Sequence, residues 1–365
     1  MLKEMEHSTT AVFTAPNRPM SIIRLPVPEL GSREILVKNE FVTLCRSDLN
    51  TYFGKRKEAT PTILGHEVVG RIVHFGKDAI QTDLRGNNLQ LGCRISWAIF
   101  SSDPDCRLSK EGIPQKGDRL IKYGHEPITQ SNTLHGGLSE YIILRKNTPL
   151  TAISEDVPLP VAALINCTVA TIAGAVRLLG DLQHKNFLVA GAGMLGLMAC
   201  AMLKVLGAAS VTVLEQNPVR LGQAGLFGAD YRWGSIEESH AKVHPTFKNA
   251  RPFDGLIECS GVPEVMEETL GLLNTGGKAI WVGATYPARK IQLDAESIIR
   301  RLVTIKGLHN YNTEDFAAAA DFIECHHNRF PFLDLVKGSF GLLEVDAAFS
   351  FAMKANPYRV GIKLS

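Results

Sequence analysis

Residues 186–196 read NFLVAGAGMLG, a short apolar run followed by the pattern Gly-x-Gly-x-x-Gly. A strand that passes through such a turn into a helix is typical of a dinucleotide-binding site. Gly191 permits the tight turn, Gly193 lets the backbone approach a pyrophosphate, and Gly196 allows close packing of helix on strand. This stretch therefore predicts both a fold and a ligand.

The segments that follow repeat the alternation of strand and helix. A helical pattern runs from Leu195 to residue 206, and the free N–H groups at its start, near Met194 and Leu195, would face the phosphates. Gly207 fits the position just beyond a helix C-terminus. Further apolar strands are predicted at residues 211–214, 254–259 and 278–283, with a helix-compatible segment at 262–273. Strands that alternate with helices predict βαβ units and a parallel sheet.

Glu215 ends the second of these strands, where an acidic side chain accepts hydrogen bonds from the adenosine ribose. A carboxylate there would repel a 2′-phosphate, so the sequence predicts NAD rather than NADP. Arg220 lies five residues later and could face the adenine end, which weakens that preference. The alternative interpretation is a glycine-rich turn followed by a solvated glutamate.

The first part of the chain has a different character. From residue 8 to about 155, short apolar runs such as 35–38, 68–73 and 141–144 are separated by Gly, Pro, Asn and Asp. This pattern favours an irregular, barrel-like antiparallel domain. The tail after about residue 300 predicts a helix at 313–323 and a final strand at 358–364. A length of 365 residues is consistent with two domains.

Composition excludes several classes of protein. The net charge of +2, without a basic run, argues against a nucleic-acid partner. The sequence contains no uninterrupted run of about 18 apolar residues, so no membrane span is expected. The charged residues 1–7 do not resemble a signal peptide. Seven cysteines without framework spacing are expected to be reduced thiols in a cytoplasmic protein.

Three residues could bind a metal ion. Cys45, His66 and Cys167 are the side-chain types that suit zinc, and catalytic zinc takes three protein ligands and one open position. Their spacing alone does not define a site, since each could be an inert core residue.

Four motifs, in this order, resemble the zinc-dependent medium-chain dehydrogenase/reductase superfamily of the alcohol dehydrogenase type, over nearly the whole chain. They are CRSD at 45–48, GHEVVG at 65–70, GGLSEY at 136–141 and ECSG at 258–261. The resemblance implies a β-rich GroES-like catalytic domain at 1–158 and 300–365. It also implies a Rossmann domain, a doubly wound parallel sheet that binds NAD, at 159–299.

The resemblance also implies roles for individual residues. Cys45, His66 and Cys167 correspond to the ligands of one catalytic zinc, with Glu67 as a near neighbour or an alternative fourth ligand. Such a centre interconverts an alcohol and a carbonyl compound by hydride transfer to NAD, and relatives are homodimers or homotetramers.

Four further side chains receive roles from the same resemblance. Ser47 corresponds to the hydroxyl that takes the substrate proton, and Asp48 to the carboxylate that orients the ligand histidine. Arg46 and Arg359 correspond to positions that face either the cofactor pyrophosphate or the metal-site glutamate.

A narrower resemblance concerns the substrate. Residues 112–116, 122–126 and 307–311 resemble the branch named for an association with phosphonate catabolism. A phosphonate substrate would require cations, and Lys55 or Arg56 could supply them. Sugar and terpenoid alcohols stay open as alternatives.

Two of the departures of this sequence from the family concern a zinc site and the proton route. Where many relatives have four cysteines for a structural zinc, this chain has Asp103, Cys106, Ser109 and Gly117. One thiol cannot complete a tetrahedral site, so no structural zinc is expected. Asn50 replaces the histidine that passes the proton outward in many relatives, and an amide cannot carry a proton at neutral pH.

Two other functions are open at this point. One is a zinc-free reductase of the same superfamily that acts on quinones or enones, against which the three possible ligands argue. The other is a non-enzymatic nucleotide-binding protein, because a fold does not determine a function.

Overall fold

The computed structural model describes residues 6–241, 252–284 and 287–364. Residues 1–5, which carry most of the charged N-terminus discussed above, lie outside the described part. The chain divides into two compact units. The first unit comprises Met1–Ala170, Asn312–Asn328 and Phe332–Ser365, and the second comprises Thr171–Tyr311 and Arg329–Pro331.

The strands are β1 (His7–Val12), β2 (Ser21–Pro26), β3 (Ile35–Leu44), β4 (Glu67–Phe75), β5 (Arg94–Trp97), β6 (Phe100–Ser101), β7 (Ile121–Lys122), β8 (Tyr141–Leu144), β9 (Leu150–Ala152), β10 (Asn186–Ala190), β11 (Ser210–Leu214), β12 (Tyr231–Trp233), β13 (Phe253–Glu258), β14 (Leu273–Trp281), β15 (Thr304–Gly307), β16 (Val336–Gly341) and β17 (Arg359–Lys363). The α-helices are α1 (Arg46–Tyr52), α2 (Arg107–Lys110), α3 (Leu159–Ala162), α4 (Ala170–Leu179), α5 (Met194–Val205), α6 (Pro218–Leu226), α7 (Ile236–Ala241), α8 (Pro263–Thr269), α9 (Ala295–Arg301), α10 (Thr313–His326) and α11 (Val345–Ala355). A π-helical turn spans Ile165–Val169, and 3₁₀ turns span Pro114–Lys116, Leu270–Leu272, Phe332–Leu335 and Leu342–Glu344.

The first unit is built around a seven-stranded sheet of order β16-β17-β3-β4-β5-β9, with β8 also paired to β3. All pairs are antiparallel except β16 with β17. The inward side chains, among them Val37, Val42, Val68 and Ile95, form one buried core. The predicted β-rich antiparallel domain is therefore confirmed.

The second unit contains a six-stranded parallel sheet of order β12-β11-β10-β13-β14-β15. Numbered within the unit, this is the 3-2-1-4-5-6 order of a doubly wound dinucleotide-binding fold. The predicted strand at 186–190 coincides with β10, and the helix predicted from residue 195 begins one residue earlier as α5. Gly207 has φ of 98°, as a residue beyond a helix end requires. The predicted fold class is confirmed.

The units divide later in the chain than the sequence boundaries at 158/159 and 299/300 predict. The segment after residue 159 belongs to the first unit, since α3 contacts β3 and β4 and the π-helical turn contacts β4 and α10. The segment after residue 300 still belongs to the second unit, because β15 pairs with β14 to complete the parallel sheet.

A helical stretch at Leu159–Leu179 is long and apolar enough, by length and composition alone, to cross a membrane. It is the only such helix in the described residues, and 83% of its apolar window is buried inside the protein. Asn166, Thr168 and Arg177 interrupt the apolar run, which is why the sequence criterion of an uninterrupted run does not detect it. Burial to this extent is typical of a core helix.

Candidate metal centre and dinucleotide-binding turn

The first unit brings the three predicted metal ligands together. Cys45 follows β3 and begins α1, and His66 directly precedes β4. The register of these strands pairs Thr43 with Glu67, so the two ligands lie side by side at neighbouring strand ends. Cys167 lies in the π-helical turn, a rare conformation that is frequent at functional sites. One ligand atom from each of the three residues lies within 4.8 Å of the other two.

The two thiols of this cluster have unequal acidity. A hydrogen bond from Cys167, helped by the positive charge of Arg359, holds the pKa of Cys45 well below its usual value in spite of burial. The same interaction, together with burial, raises the pKa of Cys167 well above its usual value. The pair therefore favours a single thiolate, the form in which cysteine binds metals. Two sulfur donors and an imidazole at this separation fit a zinc ion.

Asp48 holds the imidazole of His66 in place. Its Oδ1 lies 3.3 Å from Nδ1 of His66, which leaves Nε2 as the donor toward a metal. The carboxylate is itself fixed by the backbone N–H groups of Cys45, at 2.9 Å, and Gly65, at 3.2 Å. Ser47 Oγ lies 3.4 Å from Nε2 of His66. The serine and the aspartate thus lie at the two nitrogens of one ring.

Glu67 is fully buried and its carboxylate is saturated with hydrogen bonds. Thr43 and Arg359 Nε donate to Oε2 at 2.6 and 2.5 Å, and Thr168 and Arg359 Nη2 donate to Oε1, both at 2.8 Å. These bonds use both oxygens, and Glu67 lies as a near neighbour of the three ligands; its role as an alternative fourth ligand stays a prediction. Thr43 and Thr168 were not identified from the sequence, although each lies within two residues of a predicted ligand.

Arg359 and Arg46, the two arginines assigned to the cofactor pyrophosphate or to the metal-site glutamate, lie in different surroundings. Arg359 is buried on Glu67, and its Nη2 also lies 3.5 Å from Cys45 Sγ. Arg46 is exposed at the start of α1, where its Nη2 donates to Asn356 Oδ1 at 2.9 Å. A contact of either with a cofactor stays a prediction.

His125 lies on the metal centre, next to a ligand. Its ring centroid is 5.0 Å from that of His66, and its Nδ1 lies 3.0 Å from Glu58 Oε1. Burial lowers the pKa of His125 to about 4, so the ring is neutral at physiological pH. Asn50 replaces the histidine of the family's proton route. Its backbone carbonyl oxygen accepts hydrogen bonds from the backbone N–H groups of residues 55 and 56.

The glycine-rich turn of the second unit has the geometry that its sequence predicts. Gly191 has φ of 93°, which favours glycine. A Cβ at Gly196 would lie 1.8 Å from the carbonyl oxygen of Gly191, so only glycine permits this approach of α5 to the turn. A Cβ at Gly193 would meet no protein atom within 4 Å. That open side is where a pyrophosphate could approach the backbone and the N-terminus of α5, formed by Met194 and Leu195.

Glu215 is hydrogen-bonded to this turn. One carboxylate oxygen accepts the N–H of Ala192 at 2.9 Å and the other accepts the N–H of Asn217 at 2.8 Å. The side chain therefore sits beside the turn, while Arg220 lies on α6, half-buried. The geometry is compatible with the predicted ribose contact.

A second loop lies against the turn, at the carboxyl end of β13. Glu258 is buried, accepts the N–H groups of Ser260 at 2.7 Å and Gly261 at 3.0 Å, and has a pKa raised by burial. The two loops are in contact, because a Cβ at Gly191 would lie 3.1 Å from the nitrogen of Ser260. Strands β10 and β13 are the neighbours at which the strand order reverses, which is where such folds bind ligands.

The positions that replace the four family cysteines lie together in the first unit. Cys106 Sγ donates to Ser109 Oγ at 3.2 Å and accepts the N–H of Asp118 at 3.3 Å, and Ser109 donates to the carbonyl of Asp103 at 2.7 Å. A Cβ at Gly117 would lie 2.8 Å from Ser109 Oγ and 3.1 Å from Cys106 Sγ. Hydrogen bonds and close packing thus hold together the segment 103–118, the lobe around Cys106. The expected absence of a structural zinc stays a prediction.

Comparisons with known proteins agree with this arrangement. A family model described as the alcohol dehydrogenase GroES-like domain matches residues 31–155, and one described as zinc-binding dehydrogenase matches residues 195–324. The chain is 24% identical to the L-threonine 3-dehydrogenase of Chelativorans sp. strain BNC1, over 96% of this chain and 93% of that protein.

Two solved structures share the fold. An alcohol dehydrogenase from Thermotoga maritima superimposes with a TM-score of 0.91 at 24% identity, over 98% of this chain and all of that one. A zinc-binding dehydrogenase from Sinorhizobium meliloti, solved with NADP bound, has a TM-score of 0.83 at 20% identity, over 98% and 99% of the two chains.

Proposed function

Because the chain belongs to the zinc-dependent medium-chain dehydrogenases, oxidoreductases that act on CH–OH donors, we propose that it interconverts an alcohol and its aldehyde or ketone with NAD. The observation that carries the proposal is the convergence of Cys45, His66 and Cys167 within 4.8 Å in a chain that also contains a dinucleotide-binding turn. A non-enzymatic nucleotide-binding protein would not require the three ligands.

Cys45, His66 and Cys167 would hold the zinc ion, which when bound polarises the substrate oxygen as a Lewis acid. Asp48 fixes the ring of His66 through Nδ1, and Arg359 stabilises the Cys45 thiolate by charge. The donor set is therefore oriented before a metal arrives, which lowers the cost of binding it.

Ser47 would accept the alcohol proton, and the position of its hydroxyl, 3.4 Å from Nε2 of His66, supports this role. The serine is partly exposed, so the proton can pass from it to water. Asn50 stands where many relatives have a relay histidine, and its amide cannot take part. The proton therefore leaves this chain by a shorter route through solvent.

The glycine turn would hold the pyrophosphate of the dinucleotide, whose nicotinamide accepts the hydride. Glu215 supports NAD, because its carboxylate would repel the 2′-phosphate of NADP. The NADP in the Sinorhizobium meliloti structure is an argument for the opposite choice. A Glu215→Gln variant separates them: if Glu215 selects NAD, the variant lowers the ratio of kcat/KM for NAD to that for NADP by about tenfold, or 1.4 kcal/mol.

The function is tested by following reduction of NAD by zinc-loaded protein with a panel of alcohols. The Chelativorans relative is named for L-threonine, a secondary alcohol, so secondary alcohols come first. Cys45→Ser should abolish both zinc binding and turnover, while Cys325→Ser, at an exposed thiol, should change neither. Full turnover in the Cys45→Ser variant would exclude the zinc mechanism and favour a zinc-free reductase.

A further inference from the structure

The carboxylate of Glu67 connects the three segments that carry the metal ligands. Its Oε2 accepts the hydroxyl of Thr43 at 2.6 Å, and Thr43 lies near the end of β3, two residues before the first ligand. Its Oε1 accepts the hydroxyl of Thr168 at 2.8 Å, and Thr168 directly follows the third ligand. Glu67 itself directly follows the second ligand. One side chain therefore joins close neighbours of all three ligands.

Arg359 completes this network from β17. Its Nε and Nη2 donate to the two carboxylate oxygens of Glu67, at 2.5 and 2.8 Å, and Nη2 also donates to the hydroxyl of Thr168 at 2.6 Å. Thr43, Glu67 and Thr168 are fully buried, and Arg359 is 6% exposed. Each hydrogen bond lost here would leave a polar group away from water without a partner, which is costly.

A second polar side chain attaches the π-helical turn to the same strand. Asn166 is fully buried, its Oδ1 accepts the N–H of Val68, and its Nδ2 donates to the carbonyl of Val68, both at 3.3 Å. Asn166 and Thr168 flank Cys167 in the sequence, and they bind to consecutive residues of β4. Cys167 is thereby held between two attachments to the strand that begins directly after His66.

We propose that Asn166 and Thr168 are positioning residues for Cys167, and that Glu67 serves this attachment as a fixed buried anion and not as a fourth ligand of the metal. This inference rests on the zinc centre of the proposed function and specifies what holds its third ligand. To reach a metal ion, the carboxylate would have to leave two threonine hydroxyls and a guanidinium as unpaired buried donors. The open position of the centre then belongs to water or substrate.

The test measures zinc affinity by chelator competition and the rate of zinc release, so that it does not depend on turnover. Thr168→Val removes the hydroxyl and keeps the shape of the side chain. It should weaken zinc binding about 10- to 100-fold and speed release, as the loss of a partner that supports a ligand does. Thr168→Ser keeps the hydroxyl and should stay within about threefold of the native protein.

Thr212→Val is the matched control. Thr212 is also fully buried, but it lies on β11 in the second unit, and its hydroxyl has no hydrogen-bond partner among the described residues. This variant should leave zinc affinity and zinc release unchanged. A loss of affinity equal to that of Thr168→Val would mean that any buried threonine affects the centre, and the specific role of Thr168 would be rejected.

The sign of the effect separates positioning from ligation. If Glu67 were a ligand that its neighbours restrain, Thr168→Val would free the carboxylate, and zinc would bind as tightly as in the native protein or more tightly. That result would overturn the proposal. Cobalt(II) in place of zinc gives a spectroscopic readout, because absorption from the thiolate–cobalt bonds should change in Thr168→Val and be native in Thr168→Ser.

A double variant shows whether Thr168 acts through Glu67. In a Glu67→Gln background the partner of the hydroxyl is already altered, so Thr168→Val should change zinc affinity by less than about threefold. The same 10- to 100-fold loss, about as large as in the native background, would mean that Thr168 acts by packing alone and would contradict the proposal.

A crystal structure of the native protein loaded with zinc covers the case in which the variants do not fold. Glu67 should keep its hydrogen bonds to Thr43 and Thr168, whereas a Glu67 oxygen bound to zinc would overturn the proposal. If the native protein binds zinc and Thr168→Val binds it equally well, only the positioning role fails. If the native protein binds neither zinc nor cobalt, the proposed function fails, and this inference fails with it.

Discussion

The carboxylate of Asp48 connects the metal ligands to the backbone around them. It faces Nδ1 of His66 and accepts the N–H groups of Cys45 and Gly65. An Asp48→Asn variant keeps the shape but loses the charge that supports the imidazole. Zinc affinity or turnover should fall about 10- to 100-fold, measured by chelator competition and by kcat. An unchanged zinc affinity would mean that the ring is held by packing alone.

The π-helical turn at Ile165–Val169 is the element that completes the metal centre. It presents Cys167 to the other two ligands and Thr168 to Glu67 and Arg359. π-Helical turns are rare and are frequently found at functional sites. The turn therefore converts an apolar core helix into a support for a ligand.

The glycine-rich turn and α5 act as one element, and two of its glycines should separate folding from cofactor binding. Gly193→Ala meets no protein atom and has an ordinary φ of −73°, so the unfolding temperature should be unchanged while NAD affinity falls about tenfold or more. Gly196→Ala places a Cβ against the carbonyl of Gly191 and should lower stability by roughly 1–3 kcal/mol.

Thermal unfolding and NAD titration of both glycine variants measure these effects. The result that would count against the pyrophosphate assignment is normal NAD affinity in Gly193→Ala. Equal stability of Gly196→Ala and the native protein would show that the turn can move away from α5.

In the whole molecule, the two sets of positions at which relatives bind zinc should behave differently. The centre at Cys45 retains a complete donor set, whereas the lobe around Cys106 has hydrogen bonds between Cys106, Ser109 and Asp103. Elemental analysis should therefore find about one zinc per chain. Cys106→Ser should leave that content unchanged, and Cys45→Ser should reduce it to near zero. A content of two would show that the lobe binds metal with other donors.

Family and fold could be predicted from the sequence because their signals are local. Residues 186–196 predicted the strand, turn and helix almost to the residue, since alternating apolar strands and obligatory glycines depend on near neighbours. The four short motifs added the candidate ligands. The limits of the compact units are not local, because they depend on which unit the segments after residues 159 and 300 pack against.

The sequence by itself determined which donors this chain can offer: two thiols, an imidazole, and a glycine turn with an acid beyond the next strand. Only the tertiary structure decided how they are used. Strand register brings Cys45 beside His66, and Arg359, 292 positions further along the chain, donates to the buried carboxylate of Glu67. The reason is physical: such contacts arise from long-range strand pairing and packing, which no local pattern of residue types records.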